Sequence, residues 1–200
     1  MVVRVTSSKT SYDFDLMTDR QKIDFFFRNR MPRWFMTSLH DAMKREEPML
    51  VGSLIMIGID MLSGYFKGHP PDKGTFTRFL EEYFDYFKRH KGTKKKNPHY
   101  RKNLLRGKLN SQEYLTLPEI VYLIFRCGLD HSFMVYRGGS FSTSHRYYVR
   151  GCKHRGYQLD VDRLYGDFLK ACRKFELDVR MRNTIRKNFL RRFDQLWKRG

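Results

Sequence analysis

The sequence predicts a mainly α-helical protein, a helical bundle with a small β-hairpin or meander inserted before its last helix. Apolar residues recur at three- and four-residue spacings in several long segments, which is typical of helices with one buried face. Between residues 132 and 159, short aromatic or β-branched segments are separated by Gly/Ser stretches, which indicates strands. The chain has 200 residues, of which 40% are hydrophobic, so it is long enough for one core. We therefore expect an N-terminal tail at 1–17 and a single helical domain at 18–200.

The first two helices are predicted from their capping residues and their apolar spacing. Thr18 and Asp19 are suited to cap a helix from about Arg20 to Lys44, in which Pro32 predicts a kink or a split. A second, strongly apolar helix is predicted over Pro48–Phe66, with the proline in its first turn.

Three further helices are predicted downstream. Thr75 is suited to cap an aromatic helix over Phe76–His90. A short apolar helix is predicted over Leu117–Phe125, with Thr116 as its cap and Pro118 in its first turn. A single last helix begins at Asp160 or Asp162 and is long enough to extend toward the C-terminus. The β insertion at 132–159 lies between the last two of these helices.

The large positive charge of the chain predicts an anionic partner. There are 40 Lys and Arg residues against 21 Asp and Glu, a formal net charge of +19. Self-repulsion at this charge is relieved when an anion binds, and nucleic acid is the commonest such anion. RNA is therefore the predicted partner, with DNA as the alternative. A basic surface that serves only solubility has the same composition.

Two segments hold the candidate nucleic-acid contacts. Residues 88–111 are predicted to form a basic loop, because Lys and Arg are dense there and glycine and proline interrupt any regular pattern. A solvated loop without a ligand is the other interpretation. The C-terminal segment is an amphipathic basic helix, suited to RNA, to a partner protein or to a membrane surface. The candidate contacts are Lys94, Lys95, Lys96, Tyr100, Arg101 and Lys102 in the loop and Arg186, Lys187, Arg191 and Arg192 in the helix.

Several classes of protein are not indicated by the sequence. The three cysteines form no CxxC pair, and we expect no disulfide framework, no metal and no cofactor. There is no glycine-rich phosphate loop, no H-E-x-x-H motif and no G-x-S-x-G motif. Charged residues cross positions 1–30, where a signal peptide would be apolar. The apolar run Met49–Leu62 is shorter than the ~20 residues of a membrane span and contains Asp60. We therefore expect a cytoplasmic protein with no membrane span.

The segment Phe125–Ser132 (FRCGLDHS) holds the candidate catalytic residues, Arg126 and His131. Arginine is a permanent cation whose forked donors fit phosphate oxygens, and histidine exchanges a proton near neutral pH. Together they are sufficient for RNA cleavage without a metal. His131 would assist proton transfer at the attacking 2′-hydroxyl or the leaving oxygen, while Arg126 stabilises charge on the phosphate oxygens.

The spacing of these two residues leaves a structural interpretation open. On an ideal helix they would point about 140° apart, so either Gly128 distorts the helix or a symmetric dimer brings two pairs together. A second match to the same pattern exists at Arg33 and His40. In the structural interpretation, Arg126 satisfies free helix carbonyls and His131 is a turn residue bonded to the backbone.

The same region resembles HEPN domains (higher eukaryotes and prokaryotes nucleotide-binding), many of which are RNases with an R-x(4–6)-H motif. The similar segments are IGIDMLSGYFKG, GTFTRFLEEYF, IVYLIFRCGLDHSF and LDVDRLYGDFLKAC, which cover roughly residues 48–175. The resemblance implies a HEPN-like antiparallel helical bundle that forms a homodimer. It also implies metal-independent endonucleolytic cleavage that leaves a 2′,3′-cyclic phosphate, with Arg126 and His131 as the catalytic residues.

Three neighbouring residues are supporting candidates. Cys127 stands where the family commonly has Asn, Asp or His, and a thiol is a weaker hydrogen-bond partner. Asp130 is placed either to hold the imidazole of His131 or to point to solvent. Asp60 is placed either to lie in a polar cleft near the pair or to bond to Ser63 or to a neighbouring basic residue.

These observations lead to three functional hypotheses. The first, taken from the resemblance, is an endoribonuclease that cleaves single-stranded RNA in a toxin–antitoxin or antiviral defence system. An antitoxin or another regulatory protein is then a further partner. The second is a non-catalytic RNA- or DNA-binding module that uses the basic loop and the basic C-terminal helix. The third is an interaction protein whose basic helix binds an acidic partner.

Overall fold

The computed structural model describes residues 13–97, 113–127, 139–143, 147–152 and 156–197. Most of these residues are helical, as predicted. The helices are α1 (Asp19–Asp24), α2 (Thr37–Lys44), α3 (Pro48–Lys67), α4 (Lys73–Tyr83), α5 (Asp85–Arg89), α6 (Leu117–Ile120), α7 (Val161–Met181) and α8 (Asn183–Trp197). Two π-helical segments are Phe25–Met36 and Val121–Arg126. The strands are β1 (Lys94–Lys96), β2 (Tyr114–Thr116), β3 (Gly139–Ser142), β4 (Val149–Cys152) and β5 (Gly156–Asp160).

The first helical run is continuous through α1, the first π-helical segment and α2. Thr18 caps it as predicted, in a capping box with Gln21. Pro32 does not split the run. Proline has no N–H to bond to the preceding turn, and the chain around it is π-helical, with the Thr37 N–H bonded to the Pro32 carbonyl. The proline therefore lies in a widened stretch of the helical run.

Helix α3 lies at the centre of the fold, against α2, α4, α7 and α8. Pro48 stands in its first turn as predicted, and Gly68 ends it in the left-handed conformation (φ 77°). The helix has 20 residues, more than the apolar run that predicted it, so its length no longer argues against a membrane span. However, 61% of its apolar window is buried inside the protein, as in the core helix of a soluble protein.

Two glycines of α3 allow its close packing. A Cβ atom at Gly52 would lie 2.4 Å from the ring of Phe141 in β3. A Cβ atom at Gly58 would lie 2.6 Å from the rings of both Phe35 and Phe168. Because these distances are far below van der Waals contact, both positions require glycine.

The aromatic helix begins and ends differently from its prediction. Asp72 rather than Thr75 is the N-cap, and Thr75 is the third helical residue, whose hydroxyl completes the capping box. The helix is also divided into α4 and α5, because the backbone of Phe84 is extended (φ −107°, ψ 114°). The short helix after Thr116 is confirmed: a capping box with Glu119 begins α6, which continues as the second π-helical segment.

The last helix is two helices. Asp160 caps α7 as predicted, but Arg182 is extended (φ −103°, ψ 110°) and separates α7 from α8. Both helices pack on α3, and the break at Arg182 lets α8 pack against α7 as well. The rings of Phe189 and Phe193 are fully buried.

The two small sheets correct the predicted loop and the predicted meander. Within the predicted basic loop 88–111, Lys88 and Arg89 belong to α5, and β1 pairs antiparallel with β2. In the insertion at 132–159, β4 and β5 form the expected antiparallel hairpin. Strand β3, however, pairs parallel with β5, so the order is β3-β5-β4 and not that of a meander. This placement buries the ring of Phe141 against Phe125 and α3.

Candidate functional site

Arg126 and Asp60 form a bidentate ion pair between the second π-helical segment and α3. The Nε of Arg126 donates to Oδ1 of Asp60 at 2.9 Å, and its Nη2 donates to Oδ2 at 3.2 Å. Both side chains are mostly buried, with exposed fractions of 17% and 21%. A guanidinium group that is bonded at two points to one carboxylate has a fixed orientation. The pair therefore holds the guanidinium in one defined place at the end of a helix.

Tyr122 and Cys127 complete this polar cluster. The Cζ of Arg126 lies 5.3 Å from the centre of the Tyr122 ring, in cation–π contact. Burial raises the pKa of Tyr122 to about 12, the charge and hydrogen bond of the Cys127 thiol add to the rise, and the charge of Arg126 opposes it. The phenol therefore keeps its proton to a higher pH than an ordinary tyrosine does. Cys127 lies beside the Tyr122 hydroxyl and belongs to the same polar cluster.

Asp60 matches parts of both interpretations made from the sequence: it lies beside the catalytic candidate, and it bonds to Ser63 and to a basic residue. The hydroxyl of Ser63 donates to the backbone carbonyl of Asp60 at 2.7 Å, while the Asp60 carboxylate bonds to Arg126. The neighbouring basic residue is therefore the catalytic candidate itself. The pairing joins residues far apart in the chain, which no local pattern reveals. Tyr122 was missed as well, although its position four residues before Arg126 is the spacing of one helix face.

His131 and Asp130 lie outside the described residues, as does Gly128. The geometry that relates His131 to Arg126 is therefore still a prediction. In the second match to the motif, Arg33 is exposed, and the Nδ1 of His40 lies 3.2 Å from the hydroxyl of Tyr165.

An apolar stripe on α3 adjoins the Asp60–Arg126 pair. Leu50, Leu54, Ile57 and Met61 recur at alternating four- and three-residue spacings, which places them on one helix face. Leu50 and Ile57 are 43% and 57% exposed, and the other two are partly buried. Asp60 stands three residues after Ile57, the spacing of neighbours on a helix surface, so the ion pair lies at the edge of this stripe.

The three lysines of the basic segment form an exposed strand. Lys94, Lys95 and Lys96 are all exposed in β1, and Lys96 stands opposite Tyr114, which is 54% exposed. The hydroxyl of Tyr157 donates to the Lys96 carbonyl at 2.9 Å and ties the strand to the second sheet. The other loop candidates, Tyr100, Arg101 and Lys102, lie outside the described residues.

Two of the four candidates in α8 donate hydrogen bonds to carbonyls at helix ends. Arg186 donates to the carbonyls of Val179 and Arg180 at the end of α7. Arg191 donates to the Lys67 carbonyl at the end of α3, at 3.1 Å. Both arginines therefore satisfy free helix carbonyls, a role that the sequence analysis considered only for Arg126.

The remaining two, Lys187 and Arg192, donate to no helix-end carbonyl among the described residues; Lys187 is exposed, as Arg191 is, and Arg192 is half-buried. Lys187 lines a shallow groove of about 330 Å³, together with Asn183, Thr184, Asn188 and Arg191. Arg192 bonds only to the side chain of Gln195 among the described residues.

Within the described ranges, no three His, Cys, Asp or Glu side chains are grouped so that they could hold a metal ion. The chain matches no protein-family model, no curated protein and no solved structure.

Proposed function

We propose that the protein is a metal-independent endoribonuclease of the HEPN type that cleaves single-stranded RNA with Arg126 and His131. The observation that supports this most is the orientation of the Arg126 fork by Asp60 at a largely buried position. A pre-oriented cation is worth most where charge develops on a phosphate in the transition state. A buried ion pair is poorly explained by stability alone, because its desolvation offsets much of the attraction.

In the proposed reaction, the 2′-hydroxyl of one nucleotide attacks the adjacent phosphorus. His131 takes the proton of that hydroxyl while water protonates the leaving 5′-oxygen, or it protonates the leaving oxygen while water takes the proton of the hydroxyl. Arg126 stabilises the negative charge that builds up on the non-bridging oxygens. The P–O bond to the 5′-oxygen breaks, and the products are a 2′,3′-cyclic phosphate and a 5′-hydroxyl.

The proposal includes a homodimer formed through the α3 stripe. Exposed apolar residues at Leu50 and Ile57 give a self-complementary surface beside Asp60, and two copies packed there would bring their Arg126 residues to one cleft. Replacing Ile57 with Lys should then halve the mass measured by light scattering. Leu177→Lys, at a position that is 60% exposed on α7, is the control and should keep the mass of the wild type.

The cellular role that we propose is that of a cytoplasmic toxin or defence effector. A regulatory protein of antitoxin type would then silence it. Both points come from the family resemblance and depend on the cleavage activity.

The proposal is tested by cleavage of a labelled single-stranded RNA in EDTA. The wild type should cut, with cyclic-phosphate ends, and Arg126→Ala and His131→Ala should each lose about a hundredfold or more in rate. His40→Ala removes the histidine of the second motif match and should cut like the wild type. If Arg126→Ala cuts as fast as the wild type, the proposed site is wrong.

The lysine strand favours a second candidate function, a non-catalytic RNA- or DNA-binding module. Exposed lysines next to an exposed tyrosine match the cation and stacking contacts of sequence-tolerant binding. In this case, changing Lys94–Lys96 to Gln should weaken binding and flatten its salt dependence. In this case, His131→Ala should leave both the affinity and its salt dependence unchanged.

A further inference from the structure

Arg30 lies between the two tryptophans of the chain, Trp34 and Trp197. Its Cζ is 4.5 Å from the centre of the Trp34 ring and 5.1 Å from that of Trp197. Arg30 and Trp34 are four residues apart in the first π-helical segment, while Trp197 is the last residue of α8. The contact therefore joins the beginning and the end of the described fold.

The two indole rings are held differently. Trp197 is fixed, because its Nε1 donates to the Tyr65 hydroxyl at 3.2 Å and its ring packs against Phe25 and Phe193. Trp34 is 49% exposed, and the guanidinium of Arg30 covers only part of its ring. An exposed indole contributes little to the hydrophobic core. The stability of the fold therefore does not explain why a tryptophan stands at position 34.

No acidic residue of the described part of the chain pairs with Arg30. Within the described part of the chain, Arg30 makes no ion pair and no hydrogen bond besides its contacts with the two rings. A guanidinium on an aromatic face keeps its edge donors, which fit phosphate oxygens.

Further cations surround this position. Arg33, next to Trp34, is exposed. Burial raises the pKa of Tyr65, and the charges of both Arg192 and Arg30 act against that rise, which places both guanidinium groups near the same hydroxyl. An aromatic ring among several arginines is the arrangement that binds single-stranded nucleic acid, since bases stack on the ring and phosphates meet the cations.

We propose that Trp34 and Arg30 form a base-stacking platform for single-stranded RNA, a surface separate from the Asp60–Arg126 site. One base stacks on the open part of the Trp34 ring, and Arg30, Arg33 and Arg192 contact the flanking phosphates. The proposal rests on the proposed function only in taking RNA as the ligand. Duplex RNA does not fit, because its bases are already stacked and paired.

Binding to 2′-O-methyl oligo(U) tests the platform, because this probe has no 2′-hydroxyl to attack and cannot be cleaved. Trp34→Ala should weaken binding about tenfold, and Trp34→Phe, which keeps a stacking ring, about twofold or less. Binding of a duplex of the same length should be equal in all three proteins. Leu177→Ala removes a comparably exposed apolar side chain and should bind like the wild type.

A direct signal of stacking comes from fluorescence. In a Trp197→Phe background, Trp34 is the single tryptophan, and oligo(U) should quench its emission while duplex RNA does not.

Three results would overturn the platform. The first is that Trp34→Ala binds oligo(U) as tightly as the wild type does. The second is that Trp34→Ala weakens the binding of oligo(U) and of the duplex equally. The third is that Trp34→Ala no longer binds phosphatidylserine vesicles while its binding of oligo(U) is unchanged. The last result would reassign the surface to membranes. Because the probe is uncleavable, these outcomes are independent of the cleavage assay, which tests Arg126 and His131.

Discussion

Two arginines, Arg126 and Arg30, are held in this protein by opposite means. Arg126 is bonded to a carboxylate at two points and lies mostly inside the protein. Arg30 lies against two indole rings and makes no ion pair with a described residue. The carboxylate fixes the orientation of the first guanidinium and offsets its charge, whereas the rings leave the second with its full charge.

The difference indicates a division of roles. A fixed, partly neutralised cation is suited to stabilise a transition state whose charge exceeds that of the substrate. A fully charged cation at an exposed aromatic surface is suited to attract and bind the anionic chain itself. We therefore expect changes at Arg126 to affect the rate of cleavage and changes around Arg30 to affect affinity.

Both regions depend on α3, so a change at their common support should have the largest effect on stability. Asp60 is part of α3, and Phe35, from the segment that holds Arg30, packs on α3 at Gly58. Gly58→Ala should lower the free energy of unfolding by about 2 to 3 kcal/mol, because the added methyl group overlaps two rings. Urea denaturation measures this change.

Gly166→Ala in α7 is the matched control. Apart from its two chain neighbours and the backbone of its own helix, no described heavy atom lies within 4 Å of the added Cβ. This variant should gain about 0.5 to 1 kcal/mol, since alanine is the better helix former. A loss of stability in Gly166→Ala as large as that in Gly58→Ala would contradict this, because the loss would then not be specific to the packing at Gly58.

The next largest effect is expected at the ion pair. Asp60→Asn leaves Arg126 mostly buried without its carboxylate, and it should cost about 2 kcal/mol in thermal or urea unfolding. The double variant Asp60→Asn, Arg126→Met removes the charge as well and should recover part of this loss. If the two single changes simply add, the two residues are not coupled, and the contrast with Arg30 fails.

The smallest effect on stability is expected at Trp34. Trp34→Ala removes one exposed ring and one cation–π contact, so it should cost about 1 kcal/mol or less. A much larger loss would show that the contact of Arg30 with the two rings mainly clamps α8 to the first helical run. Thermal unfolding of Trp34→Ala beside Asp60→Asn makes this comparison in one experiment.

Local signals predicted several of the helix beginnings but not the long-range contacts. Thr18, Pro48 and Thr116 were found from sequence because capping is decided by residues within one turn. The break at Arg182 was missed, since no glycine or proline marks it and the packing of α8 on α3 causes it. The parallel pairing of β3 with β5 was missed for a similar reason, because alternation of side chains does not specify the neighbouring strand.

The candidate site was predicted in part. Arg126, Cys127 and Asp60 were all singled out by residue type and position, and they lie in one cluster. The bonding of Asp60 to Arg126 needed the fold. The hydrogen bonds of Arg186 and Arg191 were not predicted, because a sequence does not show which cations face the carbonyls of a neighbouring helix end, and their contact with RNA is still a prediction.

The most direct test of this account measures rate and affinity on the same RNA sequence for three proteins. Single-turnover cleavage at saturating enzyme gives the rate, and the 2′-O-methyl analogue gives the affinity. The account predicts that Arg126→Ala binds like the wild type but cleaves about a hundredfold more slowly. It predicts that Trp34→Ala binds about tenfold more weakly and, once saturated, cleaves like the wild type. If both variants lose rate and affinity together, or if the wild type does not cleave, the division between the two arginines is contradicted.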